Sequence, residues 1–426
     1  MTPLESDLFS GTYADEAVSA LLSEQAFVDA MVRFEAALAE AQARAGVIPE
    51  AEATSLANAL KHLHIPVAEL REGTGAAGIP VPALVAAIRA RLGDGAAYVH
   101  WGVTTHDVMD SATQGLAKGV VKRIADHLGP LCDRLERLAD AHRHVPMLGR
   151  TWGQHAVPIT FGLKAANWLD PVARSARALP AIRDACAVQL GGAAGTLSAM
   201  GGRGLATMEA LAEILDLAPA APWHASRDRN LALGGWCAGL CAALARIGAD
   251  VIVLAASDVG EVRLGAAGGS STMPQKRNPV AAHALVTLGR HAAADLASLH
   301  HAAIHPTERD PTAWALEWHA LPRLLAAAGG AARVAREMLV TLEPDAARMR
   351  ANLDAAPGAL AEAASFALAE TMPRAEAQAL AKRAFAAPDP WAVLAEAAPR
   401  IDWAQVRDPA NHVGEAAVIV ERIVGR

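Results

Sequence analysis

One polar loop of this chain combines the residue types that handle protons and anions. The segment from residue 268 to residue 279 reads GGSSTMPQKRNP. Its paired glycines allow a mobile hinge, its serines supply hydroxyl groups, and Lys276 supplies a cation. Pro279 is suited to the first turn of a following helix. Two interpretations follow from these residues: a loop that closes over an anionic ligand, or a polar turn that precedes a helix.

A second polar segment, YVHWGVTTHDVMD at residues 98–110, combines a histidine with two neighbouring hydroxyls. Thr104 or Thr105 can cap the N-terminus of a helix, and Asp107 suits the positive end of that helix. A capped helix start is also an anion-binding site, so the structural and functional interpretations are compatible. His100 on its own would more often be a packed or surface histidine than a functional one.

A third segment, GRTWGQHAVPIT at residues 149–160, carries polar side chains next to a tryptophan. Trp152 alone would be interpreted as core packing. Elsewhere, Arg227 and Arg229 are candidate carboxylate clamps because a guanidinium group binds a carboxylate through two hydrogen bonds. Either arginine can instead pair with Asp228 or with Glu residues on a helix surface.

Together these segments resemble the conserved regions of the fumarase/aspartase superfamily, and most closely its branch of bacterial 3-carboxy-cis,cis-muconate cycloisomerases. The resemblance extends over most of the chain through residues 223–229, 308–309, 314–318 and 408–414. It implies that Ser270 is the catalytic serine and that Lys276 and Asn278 hold the developing enolate-like carboxylate. It leaves the proton donor open between Ser270, His155 and another histidine. The implied substrate contacts are His100, Thr104, Thr105, Thr151, Trp152, Gln154, Arg227, Ser271, Met273 and Arg309.

The chain departs from the superfamily pattern at four positions. Thr105 stands where the superfamily usually has serine, His106 where it usually has glutamine, and Gln275 where this branch usually has histidine. Trp152 occupies the place of a histidine that is near the general acid in relatives releasing an amine or hydroxide. Such leaving groups must be protonated, whereas a carboxylate, with a pKa of about 4, leaves without that help. Lactone formation therefore fits a tryptophan at this position.

The resemblance implies the addition of a substrate carboxylate to a conjugated double bond of 3-carboxy-cis,cis-muconate. The product would be 4-carboxymuconolactone, in protocatechuate breakdown by the β-ketoadipate pathway. One alternative is another lyase of the superfamily, acting on adenylosuccinate or on an amino- or nitro-dicarboxylate. A catalytically silent structural homologue is another, against which the retained Ser270, Lys276 and Asn278 speak. The resemblance also implies a homotetramer in which different subunits build each site.

Composition narrows the possible partners of the chain. A formal net charge of -7 argues against a nucleic-acid partner, but it leaves room for a small anionic tricarboxylate held by local cations. The four cysteines show no C-x-x-C spacing, which suits a reducing cytoplasm. No cluster of histidine, cysteine and aspartate has the spacing of metal ligands, so neither metal nor cofactor is expected. The N-terminal segment lacks the basic start and apolar run of a signal peptide, so no export is expected, and the uncharged stretch 230–245 falls short of a membrane span.

The elements that must position these segments are helices. Hydrophobic residues make up 53% of the chain but aromatic residues only 4%, which favours closely packed helices over sheets. Helical periodicity covers residues 27–45, 121–138, 156–183, 206–215, 230–257, 279–300 and 313–343, and Pro130 is expected to kink the second of these helices. Glycine- and proline-containing breaks lie at 73–82, 191–204, 260–274 and 356–358. We therefore predict an all-α protein of the fumarase/aspartase type with three helical domains: residues 1–103, a long central helix bundle at 104–345, and a small C-terminal domain at 346–426.

Overall fold

The computed structural model describes residues 3–265, 268–269, 273 and 275–425. This part of the chain consists mainly of α-helices, which confirms the predicted all-α class. The helices are α1 (Ser10–Tyr13), α2 (Glu16–Leu21), α3 (Glu24–Arg44), α4 (Glu50–Lys61), α5 (Val67–Ala77), α6 (Val81–Leu92), α7 (Thr105–Ala141), α8 (Phe161–Asp184), α9 (Gly204–Leu215), α10 (Asp228–Leu254), α11 (Val280–Ala302), α12 (Pro311–Val340), α13 (Ala346–Asp354), α14 (Ala361–Ala369), α15 (Arg374–Ala384), α16 (Pro390–Ala397), α17 (Trp403–Arg407) and α18 (Ala416–Val424).

Short antiparallel strand pairs join some of these helices. The strands are β1 (Pro146–Thr151), β2 (Gln154–Thr160), β3 (Val262–Leu264), β4 (Gly268–Gly269), β5 (Arg277–Asn278) and β6 (Leu342–Pro344). The pairs are β1 with β2, β3 with β6, and β4 with β5. Single turns of 3-10 helix occur at Pro3–Glu5, Gly93–Ala96, Ser198–Met200, Pro357–Leu360 and Pro409–His412.

The chain divides into two compact units. The first contains the residues up to 127 together with 175–245 and 284–334, and the second contains 128–174, 246–283 and the residues from 335 onward. All three strand pairs belong to the second unit. The three-domain division at residues 103 and 345 stays a prediction.

Helix α3 supplies much of the core of the first unit. Ser23 caps its start by accepting a hydrogen bond from the backbone N–H of Ala26 at 3.2 Å. One face of the helix is buried at positions 28, 31, 35, 38 and 42, which follow one another at steps of three or four residues. Two of these buried positions, Glu35 and Gln42, are polar. A polar side chain at such a position requires a partner, because an unpaired one costs about 1–3 kcal/mol.

The apolar seam predicted along α7 is confirmed. Its residues at positions 121, 124, 128, 131, 135 and 138 are all buried. The helix is continuous from Thr105 to Ala141 with Pro130 inside it. The predicted kink at that proline stays a prediction.

The predicted helix at 156–183 begins too early. Residues 154–160 form strand β2, and α8 begins only at Phe161. The hydroxyl of Thr160 accepts a hydrogen bond from the backbone N–H of Leu163 at 3.0 Å, which fixes the start of the helix. The alternating β-branched residues Val157 and Ile159 fit a strand, a signal that the longer helical pattern after them obscured.

The lengths of two helices correct the predicted break at 73–82 and the expectation that the stretch 230–245 is too short for a membrane span. Helix α5 continues to Ala77 inside the predicted break at 73–82, and Gly78 ends it with a φ of 73°. Helix α10 extends beyond Arg246 to Leu254, so by length and composition it passes the test for a membrane span, with a mean hydropathy of 1.9 in its most apolar window. Half of that window is buried inside the protein, as in a core helix.

Candidate functional site

The signature loop at residues 268–279 enters and leaves through one strand pair of the second unit. Gly268 pairs with Asn278 and Gly269 with Arg277, so the two ends of the loop lie side by side. The backbone N–H of Lys276 donates to the Met273 carbonyl at 3.0 Å, while both side chains are exposed. Ser270 and Ser271 lie outside the described residues. The side chain of Lys276, the cation predicted in this loop, is therefore exposed. The catalytic and binding roles of the loop residues stay predictions.

The polar segment at 149–160 forms the β1–β2 hairpin of the second unit. Thr151 pairs with Gln154, and the two-residue turn between them has positive φ at Trp152 (55°) and Gly153 (74°). Positive φ at both central residues is typical of a type I′ turn, but it is unusual for a bulky residue such as tryptophan. Trp152 is fully exposed, with a relative accessibility of 101%. The alternative that Trp152 packs in the core is therefore wrong for the single chain. His155, which pairs with Arg150 across the hairpin, is also exposed.

A buried ion pair that the sequence did not predict anchors this hairpin. Arg150 donates from both terminal nitrogens to the two oxygens of Glu261, each at 2.9 Å. Asn352 donates to the same carboxylate at 2.9 Å and to the Val259 carbonyl at 2.9 Å. Glu261 is fully buried and directly precedes β3, the strand that leads toward the signature loop. One carboxylate thus connects the hairpin to that segment.

The segment at 98–110 forms a loop and the start of α7 in the first unit. The helix begins at Thr105, and the backbone N–H of Thr104 donates to the Asp107 carboxylate at 2.9 Å. The hydroxyl of Thr104 accepts a hydrogen bond from Arg309, whose side chain is exposed. The structure therefore brings two predicted substrate contacts together at a helix N-terminus, where an anion is favoured. Thr105 is half-buried beside them.

Asp107 is an anchor of this region rather than a free charge. Besides Thr104, its carboxylate accepts hydrogen bonds from the backbone N–H groups of Gly191 (2.8 Å) and Gly192 (3.0 Å). His224 lies with its Nε2 2.8 Å from the same carboxylate. Because Asp107 is fully buried and saturated by these partners, it fixes the start of α7 against the loop at 191–204.

His106, one of the departures from the superfamily pattern, lies beneath this helix start. Its ring stacks on Trp314 with centroids 3.5 Å apart, and it meets His224 edge-on. Burial, assisted by the nearby positive charges, lowers the pKa of His106 to about 3, so the imidazole is neutral at physiological pH. Its Nε2 is buried without a hydrogen-bond partner among the described residues.

The prediction that Arg227 clamps a substrate carboxylate is contradicted. Its guanidinium group is fully buried and makes two hydrogen bonds to Asp110, at 2.8 and 3.0 Å. It also donates to both oxygens of Glu317, one of them at 3.0 Å. Asn230 completes the cluster by donating to Glu317 at 2.7 Å. With its donors taken by two carboxylates of its own chain, Arg227 is a structural residue. Arg229 is only half-buried.

The two carboxylates of this cluster differ in their proton affinity. Burial raises the pKa of Asp110, but the charge and hydrogen bonds of Arg227 outweigh it and hold the pKa below its usual range. For Glu317 burial is the larger effect, and its pKa is raised. The pKa of Arg227 is raised because the two carboxylates more than offset its own burial. The guanidinium therefore remains charged and is paired with both carboxylates of its own chain.

His100 contacts a carboxylate that the sequence analysis did not single out. Its Nδ1 lies 2.8 Å from Oε1 of Glu35, and its backbone N–H donates to Oε2 of the same residue at 2.9 Å. Glu35 interrupts the apolar stripe of α3, and that interruption was the signal available in the sequence. Of the predicted contacts, the first unit thus holds His100, Thr104, Thr105, Arg227 and Arg309, and the second holds Thr151, Trp152, Gln154, His155, Met273, Lys276 and Asn278.

Comparisons with known proteins point to one family. Residues 12–292 match the family model described as "Lyase". Nitrosuccinate lyase of Streptomyces davaonensis is 39% identical, over 99% of this chain and 95% of its own. The 3-carboxy-cis,cis-muconate cycloisomerase of Bradyrhizobium diazoefficiens is also 39% identical, over 91% of this chain and 89% of its own. The crystal structure of the 3-carboxy-cis,cis-muconate lactonizing enzyme of Pseudomonas putida superimposes with a TM-score of 0.91 at 32% identity, over 99% of this chain and 98% of that chain.

Proposed function

Because the chain belongs to the lyase family of the fumarase/aspartase superfamily, close to its cycloisomerases, we propose that it converts 3-carboxy-cis,cis-muconate into 4-carboxymuconolactone. In this reaction one substrate carboxylate adds to a conjugated double bond, and a proton reaches the neighbouring carbon. The reverse reaction is a β-elimination in which a carboxylate is the leaving group.

The observation that carries this proposal is Trp152 at the tip of the β1–β2 hairpin. The superfamily usually has a histidine at this position, but the exposed indole offers no proton for a leaving group. A carboxylate has a pKa of about 4 and departs without protonation, whereas an amine does not. The substitution therefore favours a reaction with a weakly basic leaving group over the release of an amine.

The charged groups near the helix start of the first unit suit an anionic substrate. Arg309 is exposed and donates one hydrogen bond to Thr104, which leaves other N–H groups of the guanidinium for a carboxylate. The backbone N–H groups of the first turn of α7 point out of the positive end of the helix dipole, and both favour an anion at that end. Lys276 and Asn278 of the signature loop are proposed to stabilise the negative charge that develops on the second carboxylate.

A site shared between subunits is part of the proposal. The predicted contacts fall into two groups within one chain, and a homotetramer would supply each site with segments from different subunits. Light scattering of the purified protein tests this point: a tetramer is expected, and an active monomer would contradict it.

A second candidate is the elimination of nitrite from a nitro-dicarboxylate. The nitrosuccinate lyase matches this chain over almost its whole length at the same identity as the cycloisomerase. Nitrite, like a carboxylate, is a weak base, so Trp152 suits both reactions. Gln275 in place of the histidine usual in the cycloisomerases leaves room for this candidate.

The decisive experiment supplies both substrates to the purified protein with a chelator present. Loss of the conjugated diene of 3-carboxy-cis,cis-muconate, followed by ultraviolet absorbance with the lactone identified as product, would support the proposal. Nitrite formed from nitrosuccinate, without loss of the diene, would establish the second candidate. The Ser270→Ala variant serves as the baseline, and inactivity of both proteins on both substrates would favour a different lyase or a catalytically silent homologue.

A further inference from the structure

A carboxylate–imidazole pair in the first unit has the geometry of a proton-transfer group. Both oxygens of Glu35 are used, one by the ring Nδ1 of His100 at 2.8 Å and the other by the backbone N–H of the same residue at 2.9 Å. The carboxylate is buried, with 1% of the side chain exposed, whereas the imidazole is 21% exposed. The ring is thus held at its inner edge and open at its outer edge.

The backbone at His100 is held in an uncommon conformation. Its φ of 60° lies in the left-handed region, which few residues other than glycine adopt. Neighbouring carbonyls are fixed as well, because Gln42 donates to Trp101 at 2.6 Å and Arg89 donates to Val99 at 3.3 Å. Such over-determined strain is typical of sites where one side chain must point in a particular direction.

The partner of Nδ1 determines the tautomer of the ring. A carboxylate only accepts hydrogen bonds, so Nδ1 of His100 carries the hydrogen and Nε2 keeps a lone pair. Nε2 has no hydrogen-bond partner among the described residues and lies at the open edge of the ring. It is therefore available to a ligand as a base.

We propose that Glu35 is a positioning residue that holds His100 so that its Nε2 carries the proton of the reaction. The inference rests on the proposed function, since it assigns the proton of that reaction to one atom. In the addition, a carboxylate oxygen bonds to one carbon of the double bond, and the π electrons move to the neighbouring carbon and its carboxylate. The lone pair on Nε2 of His100 first takes a proton from solvent, and Nε2 then gives this proton to that carbon and becomes neutral again. Elimination runs through the same steps in reverse, with Nε2 accepting the proton.

The other histidines near the predicted contacts are less suited to this task. His106 is buried and remains neutral down to about pH 3. The Nε2 of His224 is taken by Asp107. His155 is exposed on the hairpin and has no carboxylate partner among the described residues. His100 alone among these four combines a buried carboxylate on one nitrogen with an open second nitrogen.

A double-mutant cycle separates positioning from general stabilisation. Glu35→Gln keeps the size of the side chain but replaces one acceptor by an amide donor, and His100→Asn keeps a residue type that tolerates positive φ. We expect each variant to lower kcat about 10- to 100-fold with little change in KM, as for the loss of an acid–base group. In the His100→Asn background, Glu35→Gln is expected to lower kcat no further, because Glu35 acts only through His100. Glu40→Gln, an exposed glutamate on the same helix, is the control.

The tautomer of His100 is tested in the wild-type protein and does not depend on turnover. Long-range 1H–15N spectra, with the His100 signals assigned by their loss in His100→Asn, are expected to show the hydrogen on Nδ1. A neutral ring that carries its hydrogen on Nε2 instead of Nδ1, or kcat losses that multiply in the double variant, would overturn the proposal. If the wild-type protein converts neither substrate, the proposed function fails, and the tautomer still decides whether Glu35 orients the ring as inferred.

Discussion

Arg150 and Glu261 form a two-point ion pair in which each terminal nitrogen of the guanidinium lies 2.9 Å from a different carboxylate oxygen. The carboxylate is completely buried, and Arg150 itself is only 18% exposed. A buried carboxylate without its cationic partner is strongly unfavourable, because burial removes the water that would otherwise solvate its charge. The pair fixes the position of the hairpin that presents Trp152.

Removal of this arginine is expected to destabilise the protein. Among the described residues, Arg150→Met leaves Asn352 as the remaining side-chain partner of Glu261, and it should lower the free energy of unfolding by about 3–5 kcal/mol. Urea denaturation measures the change. The matched control is Arg263→Met, since Arg263 pairs with Asp345 at 2.7 Å but its side chain is 67% exposed. Arg263→Met should lower the free energy of unfolding by less than about 1 kcal/mol. If both substitutions lowered it equally, burial of the ion pair would not explain the effect of Arg150→Met.

The sequence predicts local features of this protein better than long-range ones. The seam of α7 follows from a repeat of three and four residues, and the start of this helix follows from Thr104 and Asp107, which are three residues apart. The role of Arg227 was predicted wrongly because its partners Asp110 and Glu317 are 117 and 90 positions away in the chain. Such distant neighbours are set by tertiary packing, which no local pattern encodes.

The same limit explains what was missed at the candidate site. Glu35 and His100 are 65 positions apart, and only the polar break in the apolar face of α3 hinted that Glu35 has a partner. The β1–β2 hairpin was missed because its second strand runs directly into α8, so that one apolar pattern covered both. The motif residues themselves were recognised because each short segment resembles a conserved region of the superfamily, and their roles stay predictions.

The buried His106 predicts a pH-dependent loss of stability. Its pKa is lowered from 6.5 to about 3 by burial, so between these pH values the unfolded chain binds more protons than the folded protein. The stability linked to this group is therefore present above about pH 6.5 and is lost as the pH falls. We expect the free energy of unfolding of the wild type, relative to His106→Gln, to fall by up to about 1.4 kcal/mol per pH unit in this range.

This difference is measured by urea denaturation of both proteins at pH 7.5 and 5.5. His62→Gln, which changes an exposed histidine of the same unit, is the matched control for the loss of an imidazole. A constant difference between wild type and His106→Gln at the two pH values would show that His106 does not remain neutral in the folded protein.

Arg309 is expected to act on substrate binding. Arg309→Met removes an exposed guanidinium beside Thr104, and we expect KM for the anionic substrate to rise about 10-fold or more with a smaller change in kcat. Steady-state kinetics at fixed ionic strength provide the measurement. Arg71→Met, which removes an exposed arginine on α5, controls for the loss of one positive charge. Equal KM values in the two variants would remove Arg309 from the substrate contacts.

Trp152 offers the sharpest test of the leaving-group argument. Trp152→His restores the residue that the superfamily usually has, and with it a group able to give up a proton. If the reaction forms or breaks a bond to a carboxylate oxygen, leaving-group protonation is not limiting, and kcat for lactone formation should not exceed that of the wild type. Because phenylalanine keeps an aromatic face that can pack against the substrate, Trp152→Phe should retain most of the activity, whereas Trp152→Ala should raise KM about 2- to 10-fold. A faster Trp152→His variant would mean that the leaving group does require a proton, and the argument that separates this chain from amine-releasing lyases would fail.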